Sequence, residues 1–143
     1  MNYTWLVFAL LSAVMASLVA IFGKIGLKGI DSNTATAVRA IIMAVFLFAV
    51  IIIQGKLNNL PEIFMNKKAL TFITLSGIAG ASSWLFYFIA LKYGKVAQVA
   101  PIDKLSVVFA VIIAAILLGE KVSLISGMGV ALIGIGAIMV ALG

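Results

Sequence analysis

The segment of residues 96–122 constrains the fold of this chain more than any other. It contains an unbroken apolar run, residues 105–118, which a charged Gly-Glu-Lys sequence closes. Counted from Pro101, the segment reaches the roughly 20 residues that a transmembrane helix needs. Asp103 and Lys104 stand side by side at the head of the run, and charges inside or near hydrocarbon are costly enough to indicate a function.

The composition assigns the chain to the membrane proteins, since 65% of its 143 residues are hydrophobic and 10% are charged. It has no cysteine, no histidine and four acidic residues, so we expect no disulfide, no metal site, no cofactor and no enzymatic activity. The net charge of +6 comes from lysines that separate apolar runs. These lysines should meet anionic lipid headgroups, and we expect no nucleic-acid partner.

Five long apolar runs predict an all-α integral membrane protein with five transmembrane helices. The first run has no lysine or arginine before it and is longer than the apolar core of a signal peptide, so we expect a retained helix. We predict a single domain, residues 1–143, with spans at residues 3–22, 35–53, 69–91, 97–118 and 124–142.

Two basic residues lie at or inside the ends of predicted spans. Lys24 follows the first span, and its ammonium group either extends to the membrane surface or faces a substrate. Arg39 lies one to two turns inside the second span. Its guanidinium group either bends back to the headgroups or pairs with an acid, because an unpaired charge inside a helix bundle is costly.

The middle of the third span is small and weakly polar, and aromatic residues follow it. This pattern is typical of close helix packing with an aromatic belt. It is equally typical of a weakly polar, aromatic-lined pocket for an organic molecule. The residues concerned are Gly77 and Gly80 for packing, and Ser82, Ser83, Trp84 and Tyr87 for a cavity lining.

Pro101 gives the fourth span two possible starts. If Pro101 is the first helical residue, Asp103 lies in the first turn, where the helix dipole favours an anion. If the helix starts near Val96, Pro101 kinks it and Asp103 lies well inside the span. The apolar residues after Val96 favour the second interpretation.

The fifth span is rich in glycine, which lets another helix approach closely. Ser123 precedes this span and is its expected N-cap. A helix of this kind more often packs against a second copy than lines a site. The residues expected at the packing surface are Gly127, Gly129 and Gly134.

The basic residues do not favour one orientation in the membrane. Five spans place the two ends of the chain on opposite sides, and a protein with tied charges and an odd span number can insert both ways. Two oppositely inserted copies would then form the inverted repeat that many transporters carry in one chain. One side has Lys56, Lys67, Lys68 and Lys121; the other has Lys24, Lys28, Lys92 and Lys95, with Arg39 near its surface.

Residues 84–123 resemble the EamA-type drug/metabolite transporters. The resemblance lies in an aromatic span, a Lys-Tyr-Gly-Lys turn, Val-Phe-Ala in the next span and Leu-Leu-Gly-Glu-Lys-Val-Ser at its end. The glycine-rich last span and the order of all five spans extend it over the chain. Usual members have ten spans in two inverted halves, so this chain resembles the half-size bacterial and archaeal branch.

The resemblance implies export or exchange of small metabolites across the cell membrane, with the chain as one half of an inverted-repeat fold. Two departures limit what it carries over. Longer members often have a proline within the fourth span where this chain has Val107. Related four-span multidrug transporters use a membrane glutamate in their first span, whereas residues 5–22 here contain no acid.

Two hypotheses follow from different classes of function. In the first, the chain is a homodimeric, antiparallel secondary transporter of small organic metabolites or drugs in the inner membrane of a bacterium or archaeon. Asp103 is then the group that titrates or binds a cation, Arg39 or Lys104 is its partner, and Lys24 is a further candidate at the site. In the alternative, the chain is a non-transporting membrane subunit of a larger complex.

Overall fold

The computed structural model describes residues 3–143, which form helices joined by short connections and contain no strand. Five helical segments in this range are long and apolar enough to cross a membrane. The predicted all-α, five-span fold class is therefore confirmed. In chain order the α-helices are α1 (Thr4–Gly26), α2 (Ser32–Ile53), α3 (Leu60–Met65), α4 (Lys67–Tyr93), α5 (Val96–Asp103), α6 (Leu105–Ile113) and α7 (Leu124–Leu142).

The fourth span is a broken helix. It consists of α5, a turn at Lys104, α6 and a π-helical segment, Ala114–Leu118. The helix begins at Val96, which confirms the interpretation that places Pro101 inside it. Proline lacks the N–H that would continue the helical ladder, and the Lys104 N–H bonds to the Pro101 carbonyl in a tighter turn, at 3.0 Å.

The end of the fourth span depends on one glycine. Gly119 has a φ of +67°, the left-handed conformation that glycine adopts without steric cost. The chain then runs through residues 119–123 before α7 begins. The last turn before Gly119 is the π-helical segment, which no feature of the sequence predicts.

Several helices extend beyond the predicted spans. The first continues to Gly26 rather than residue 22, the second starts at Ser32 rather than residue 35, and the third covers Lys67–Tyr93 rather than residues 69–91. Apart from Ile25, the added residues are polar or glycine, and they extend the helices at their ends. Apolar runs mark the hydrocarbon-spanning part of a helix, and helices can continue past it toward the headgroups.

Polar side chains fix the starts of three helices. Asp31 Oδ1 accepts hydrogen bonds from the Thr34 N–H and hydroxyl, both at 2.9 Å, and this caps α2. Asn66 Oδ1 accepts from the Ala69 N–H at 3.0 Å before α4. Ser123 is confirmed as the N-cap of α7, where its hydroxyl accepts from the Ser126 N–H at 3.1 Å. Each bond satisfies a backbone donor that the helix leaves unpaired.

The chain divides into two compact units. The first covers residues 25–92 and contains α2, α3 and nearly all of α4. Its buried side chains include Leu27 and, on α4, Phe88 and Leu91. The two hydroxyl residues buried in this unit, Ser32 and Thr36, lie in the first turns of α2. The Thr36 hydroxyl donates to the Ser32 carbonyl at 2.7 Å, so its burial leaves no unpaired donor.

The second unit combines residues 3–24 with residues 93–143. Within it, α7 packs against both α5 and α6. Ala137 on α7 is buried, and a Cβ at Gly134 would lie 3.4 Å from Val108 Cγ2 of α6. The small residues of α7 therefore allow the close packing of the fourth and fifth spans.

Most large apolar side chains of the five spans lie on the surface of the isolated chain. At most 6% of the apolar window of any span is buried. Examples lie on every span, including Phe8, Phe46, Phe86, Phe109 and Leu132. A water-soluble protein rarely exposes apolar patches of this size, so these faces suit lipid hydrocarbon or another protein chain.

Candidate functional site

Arg39 is the only arginine of the chain, and it lies inside a membrane span. It follows Ser32, the first residue of α2, by about two helical turns, roughly 10 Å along the axis. Its guanidinium carbon lies 4.4 Å from the centroid of the Trp84 ring and 4.7 Å from that of Phe88. Both distances fall within the range of a cation–π interaction.

The two rings form a platform on α4. Trp84 and Phe88 are four residues apart, so they lie on the same helix face. Phe88 is only 3% exposed, whereas Trp84 remains 36% exposed. Tyr87 contacts Phe88 edge to face, with ring centroids 5.7 Å apart and planes at 88°. Packing around the buried Phe88 therefore holds this ring in place, whereas part of the Trp84 side chain remains accessible. We call Arg39, Trp84 and Phe88 the α2–α4 cluster.

One nitrogen of the guanidinium group lacks a hydrogen-bond partner. Arg39 Nη1 is buried, and no protein atom accepts from it. One interpretation of the sequence paired Arg39 with an acid. Among residues 3–143 no acid forms an ion pair with Arg39, and the ion pair that is present joins Asp103 and Lys104. Aromatic rings compensate part of the charge, but they leave the in-plane N–H groups of Nη1 unpaired.

Asp103 and Lys104 lie where the fourth span breaks. Lys104 Nζ is 3.2 Å from Asp103 Oδ2, and the two side chains are 56% and 34% exposed respectively. Of the two partners predicted for Asp103, Lys104 is the one in contact with it. An ion pair with this exposure contributes little to stability.

Lys24 is engaged at the end of α1. Its ammonium group donates to the Gly94 carbonyl at 2.7 Å, in a partly buried contact. Gly94 directly follows α4, and the carboxyl end of a helix favours a cation. The bond connects α1 to the chain just before α5, which gives Lys24 an anchoring contact within its unit.

The other predicted lining residues of α4 differ in their surroundings. The Ser82 hydroxyl donates to the Ile78 carbonyl of the preceding turn at 2.9 Å, so its proton is used within the helix. Ser83 is exposed, and Tyr87 is half-buried beside Phe88. Trp84 and Tyr87 therefore join the aromatic cluster around Arg39, directly or through Phe88, and the two serines do not.

The predicted packing glycines fall into two groups. Gly134 lies at a helix contact, with Val108 Cγ2 and Leu105 Cδ2 at 3.4 and 3.9 Å from a Cβ built on it. A Cβ built at any of the others would meet no atom within 4 Å. Their packing role stays a prediction and would need a surface outside this chain. This second group is Gly77, Gly80, Gly127 and Gly129.

Sequence reasoning missed Phe88 as a partner of Arg39. A signal was present, because Phe88 follows Trp84 by four residues and an intramembrane arginine needs either an acid or an electron-rich surface. Because the chain has only four acids, an aromatic surface was the better expectation as the partner of Arg39. The Gly94 carbonyl that binds Lys24 had no such signal, since backbone acceptors occur at every position.

Outside the spans, Asp31 is the acid whose ionisation the fold favours most clearly. The Thr34 backbone N–H, and next the Thr34 hydroxyl, donate to its carboxylate and hold the pKa of Asp31 below its usual value of 3.8. Asp31 is therefore a charged capping residue, and its carboxylate is used in hydrogen bonds to the first turn of α2.

Comparison with known proteins gives two matches that cover nearly the whole chain. The EamA-like transporter family matches residues 3–142. A protein of Sinorhizobium sp., described as an "Uncharacterized transporter in cobO 3'region", is 41% identical over 141 residues, which cover 99% of this chain and 99% of that protein. No solved structure matches the chain. Both matches include all five spans.

Proposed function

The chain belongs to the EamA-like transporter family, and from this membership we propose that it is a secondary transporter of small organic metabolites or drugs in the cell membrane of a bacterium or archaeon. That it is a multi-pass membrane transporter follows from the family and from its five apolar helices. The kind of solute, the oligomer and the membrane are the parts proposed here.

The observation that carries the proposal is the α2–α4 cluster. An ionisable side chain inside a membrane span is costly, and such residues usually line a pathway or bind a ligand. Arg39 is held over Trp84 and Phe88 with a buried, unpaired Nη1. A rigid aromatic platform with one unused polar donor is the kind of site that binds a small organic molecule.

We propose that two copies form an antiparallel homodimer. A five-span chain corresponds to one half of the inverted repeats that other transporters carry in a single chain. The near-equal lysine counts of the two sides permit both orientations. Exposed apolar faces and open glycines, Gly77 and Gly80 among them, offer surfaces for the second copy. The cavity would then lie between the first four spans of both copies, lined by Trp84, Tyr87, Ser82 and Ser83.

We assign proton or cation coupling to Asp103. The carboxylate lies next to the tight turn at Lys104, within the fourth apolar span, and ionisable side chains inside spans usually face a cavity or the interior of a bundle. Its ion pair with Lys104 gives it a partner that protonation would release. A carboxylate that leaves its ion pair with a lysine when it binds a proton can couple solute movement to the proton gradient.

The test uses the purified chain alone, reconstituted into vesicles and supplied with a mixture of small metabolites. Mass spectrometry of the vesicle contents should show at least one solute that enters faster than in protein-free vesicles, at a rate that an imposed pH gradient changes. Asp103→Asn should remove the effect of the gradient while uptake down a concentration gradient continues. Glu120→Gln, an acid outside the spans, is the matched control and should retain the effect.

Two results would contradict the proposal. If no solute enters faster than in protein-free vesicles and the chain purifies together with another polypeptide, the chain is a non-transporting subunit. If uptake occurs and Asp103→Asn keeps its full response to the gradient, the chain is a transporter but Asp103 is not its coupling residue.

A further inference from the structure

We propose that Arg39 binds the carboxylate of an organic anion, and that carboxylates with an apolar body are the substrate class of this transporter. The inference rests on the proposed transport function and adds the chemistry of the ligand. It is carried by the position of the guanidinium group against two aromatic rings, the unpaired Nη1 and the positions of the four acids.

Two aromatic rings of α4 hold the guanidinium group of Arg39. The Trp84 and Phe88 rings lie 4.4 and 4.7 Å from the guanidinium carbon, so both contact the cation at cation–π distance. The N–H donors of arginine lie in the guanidinium plane and point outward from its edge in a fixed fork. A ligand that approaches from the edge therefore meets donors, while the rings hold the group in position.

The unpaired nitrogen indicates that a partner is missing. Arg39 Nη1 is buried away from solvent and has no acceptor within the described chain. A buried donor without an acceptor is destabilising, and the cost is larger when the donor carries charge. The described chain therefore leaves this cationic donor without an acceptor of its own.

The acids of the chain do not fill this position. Asp31 accepts two hydrogen bonds from Thr34, and Asp103 pairs with Lys104. Glu62 belongs to the short helix α3, and Glu120 lies in the connection before α7, so both are outside the spans. A second copy of the chain has the same four acids, two of them engaged and two outside the spans, which favours a small anion over a protein carboxylate.

A carboxylate with an apolar body fits the remaining features. Its two oxygens match the planar fork of arginine, and such bidentate pairs are among the stronger hydrogen bonds in proteins. Beside the guanidinium group, the 36% exposed Trp84 offers an apolar surface to the rest of the ligand. The cluster contains an aromatic face and a cation, and the complementary ligand combines an apolar group with an anion.

The first experiment modifies Arg39 directly, because it is the only arginine in the chain. The folded protein in a maltoside detergent is treated with phenylglyoxal, which reacts with guanidinium groups, and the added mass is followed over time. Phenylacetate should slow the reaction in proportion to its occupancy of the site. Phenylacetamide, which has the same shape without the charge, should not slow it.

Every other outcome of this experiment overturns the proposal. Equal slowing by both compounds would indicate apolar binding alone, and slowing by neither would show that Arg39 does not bind the anion. A guanidinium group that never reacts is closed to ligands. Since the detergent contains no phosphate, protection that appears only after an anionic phospholipid is added would assign Arg39 to a lipid headgroup.

The second experiment measures uptake of phenylacetate by reconstituted vesicles. Arg39→Gln should raise the KM for phenylacetate by about ten- to a hundredfold, the loss expected for a charge-assisted pair. Arg39→Lys, which keeps the charge without the planar fork, should fall between Arg39→Gln and the wild type. Lys28→Gln is the control, because it removes an exposed cation outside the spans and should leave the KM unchanged.

The two proposals fail in different ways. If the wild-type chain moves no solute at all, the transport function fails, and the phenylglyoxal experiment still decides whether Arg39 binds a carboxylate. If the wild type transports neutral solutes, and Arg39→Gln alters neither these nor phenylacetate, transport stands and the assignment of Arg39 is wrong.

Discussion

The guanidinium carbon of Arg39 lies 4.4 Å from the centroid of the Trp84 ring, and no carboxylate of the described chain pairs with this arginine. The contact joins the second and third spans within one compact unit. It gives an intramembrane cation a partner that carries no charge. The ring contact stabilises the cation but accepts no hydrogen bond from Nη1, which stays unpaired within the described chain.

Replacing Trp84 tests the stabilising part of this contact. Trp84→Leu should lower the free energy of unfolding by about 1–2 kcal/mol, since the cation–π interaction is lost inside a span. Trp84→Phe keeps an aromatic face and should lose less. The measurement is unfolding by a denaturing detergent, with Trp5→Leu as the control on a 68% exposed tryptophan of α1. Equal losses for Trp84→Leu and Trp5→Leu would contradict the role of the contact.

The close approach of α6 and α7 at Gly134 gives a second prediction. A Cβ at this position would lie 3.4 Å from Val108 Cγ2, an ordinary contact, so Gly134→Ala should be tolerated. Gly134→Leu should destabilise the protein by about 1–3 kcal/mol, because the larger side chain cannot fit without moving α6. Thermal unfolding in detergent measures both.

The matched control for this prediction lies about half a helical turn away on the same helix. A Cβ at Gly136 meets no atom within 4 Å, so Gly136→Leu should have a much smaller effect if that face meets detergent. If Gly134→Leu is no more harmful than Gly136→Leu, α6 and α7 do not pack at Gly134 as described.

The bond from Lys24 to the Gly94 carbonyl gives a third prediction. Lys24→Met keeps much of the aliphatic length but removes the ammonium group, and with it a 2.7 Å charge-assisted hydrogen bond. The free energy of unfolding should fall by about 1.5–3 kcal/mol. Lys28→Met, at an exposed lysine between α1 and α2, should have little effect. An equal loss in the two variants would show that the Gly94 contact contributes nothing specific.

The Asp31 cap predicts how stability changes with acid. Hydrogen bonds from Thr34 hold the pKa of Asp31 below 3.8 in the folded state, so the unfolded chain binds its proton first as the pH falls. The stabilisation is therefore present above 3.8 and is lost as the pH falls through the lower, folded pKa. Asp31→Asn keeps an oxygen acceptor that does not titrate. Its thermal midpoint should decline less than that of the wild type below pH 3.8, and identical declines would contradict the cap's role.

The sequence predicted the five helices because a membrane leaves a chain few alternatives. Backbone groups in hydrocarbon must be paired internally, so each long apolar run has to be a helix. Pro101 also predicted a disturbance in the fourth span, and the break follows it at Lys104. The π-helical segment Ala114–Leu118 had no sequence signal, because its residues are as compatible with an ordinary α-helix.

The candidate site was predicted less completely than the fold. The sequence points to Arg39 because a cation is rare in an apolar helix, and to Trp84 and Tyr87 because they follow the small, weakly polar middle of the third span. Which of them meet depends on how α2 packs on α4, and a single sequence does not determine that packing. Phe88 was overlooked because one phenylalanine among nine carries no distinguishing feature by itself.

The most direct test of the central claim, an antiparallel dimer built from a chain that inserts both ways, is thiol labelling in sealed cells. The chain has no cysteine, so single cysteines at Asn58 and Gly143 report the two opposite sides. An impermeant reagent should label about half of each variant, relative to permeabilised cells, because the lysine distribution favours neither orientation. Complete labelling of one position with none of the other would show a single orientation and contradict the antiparallel homodimer.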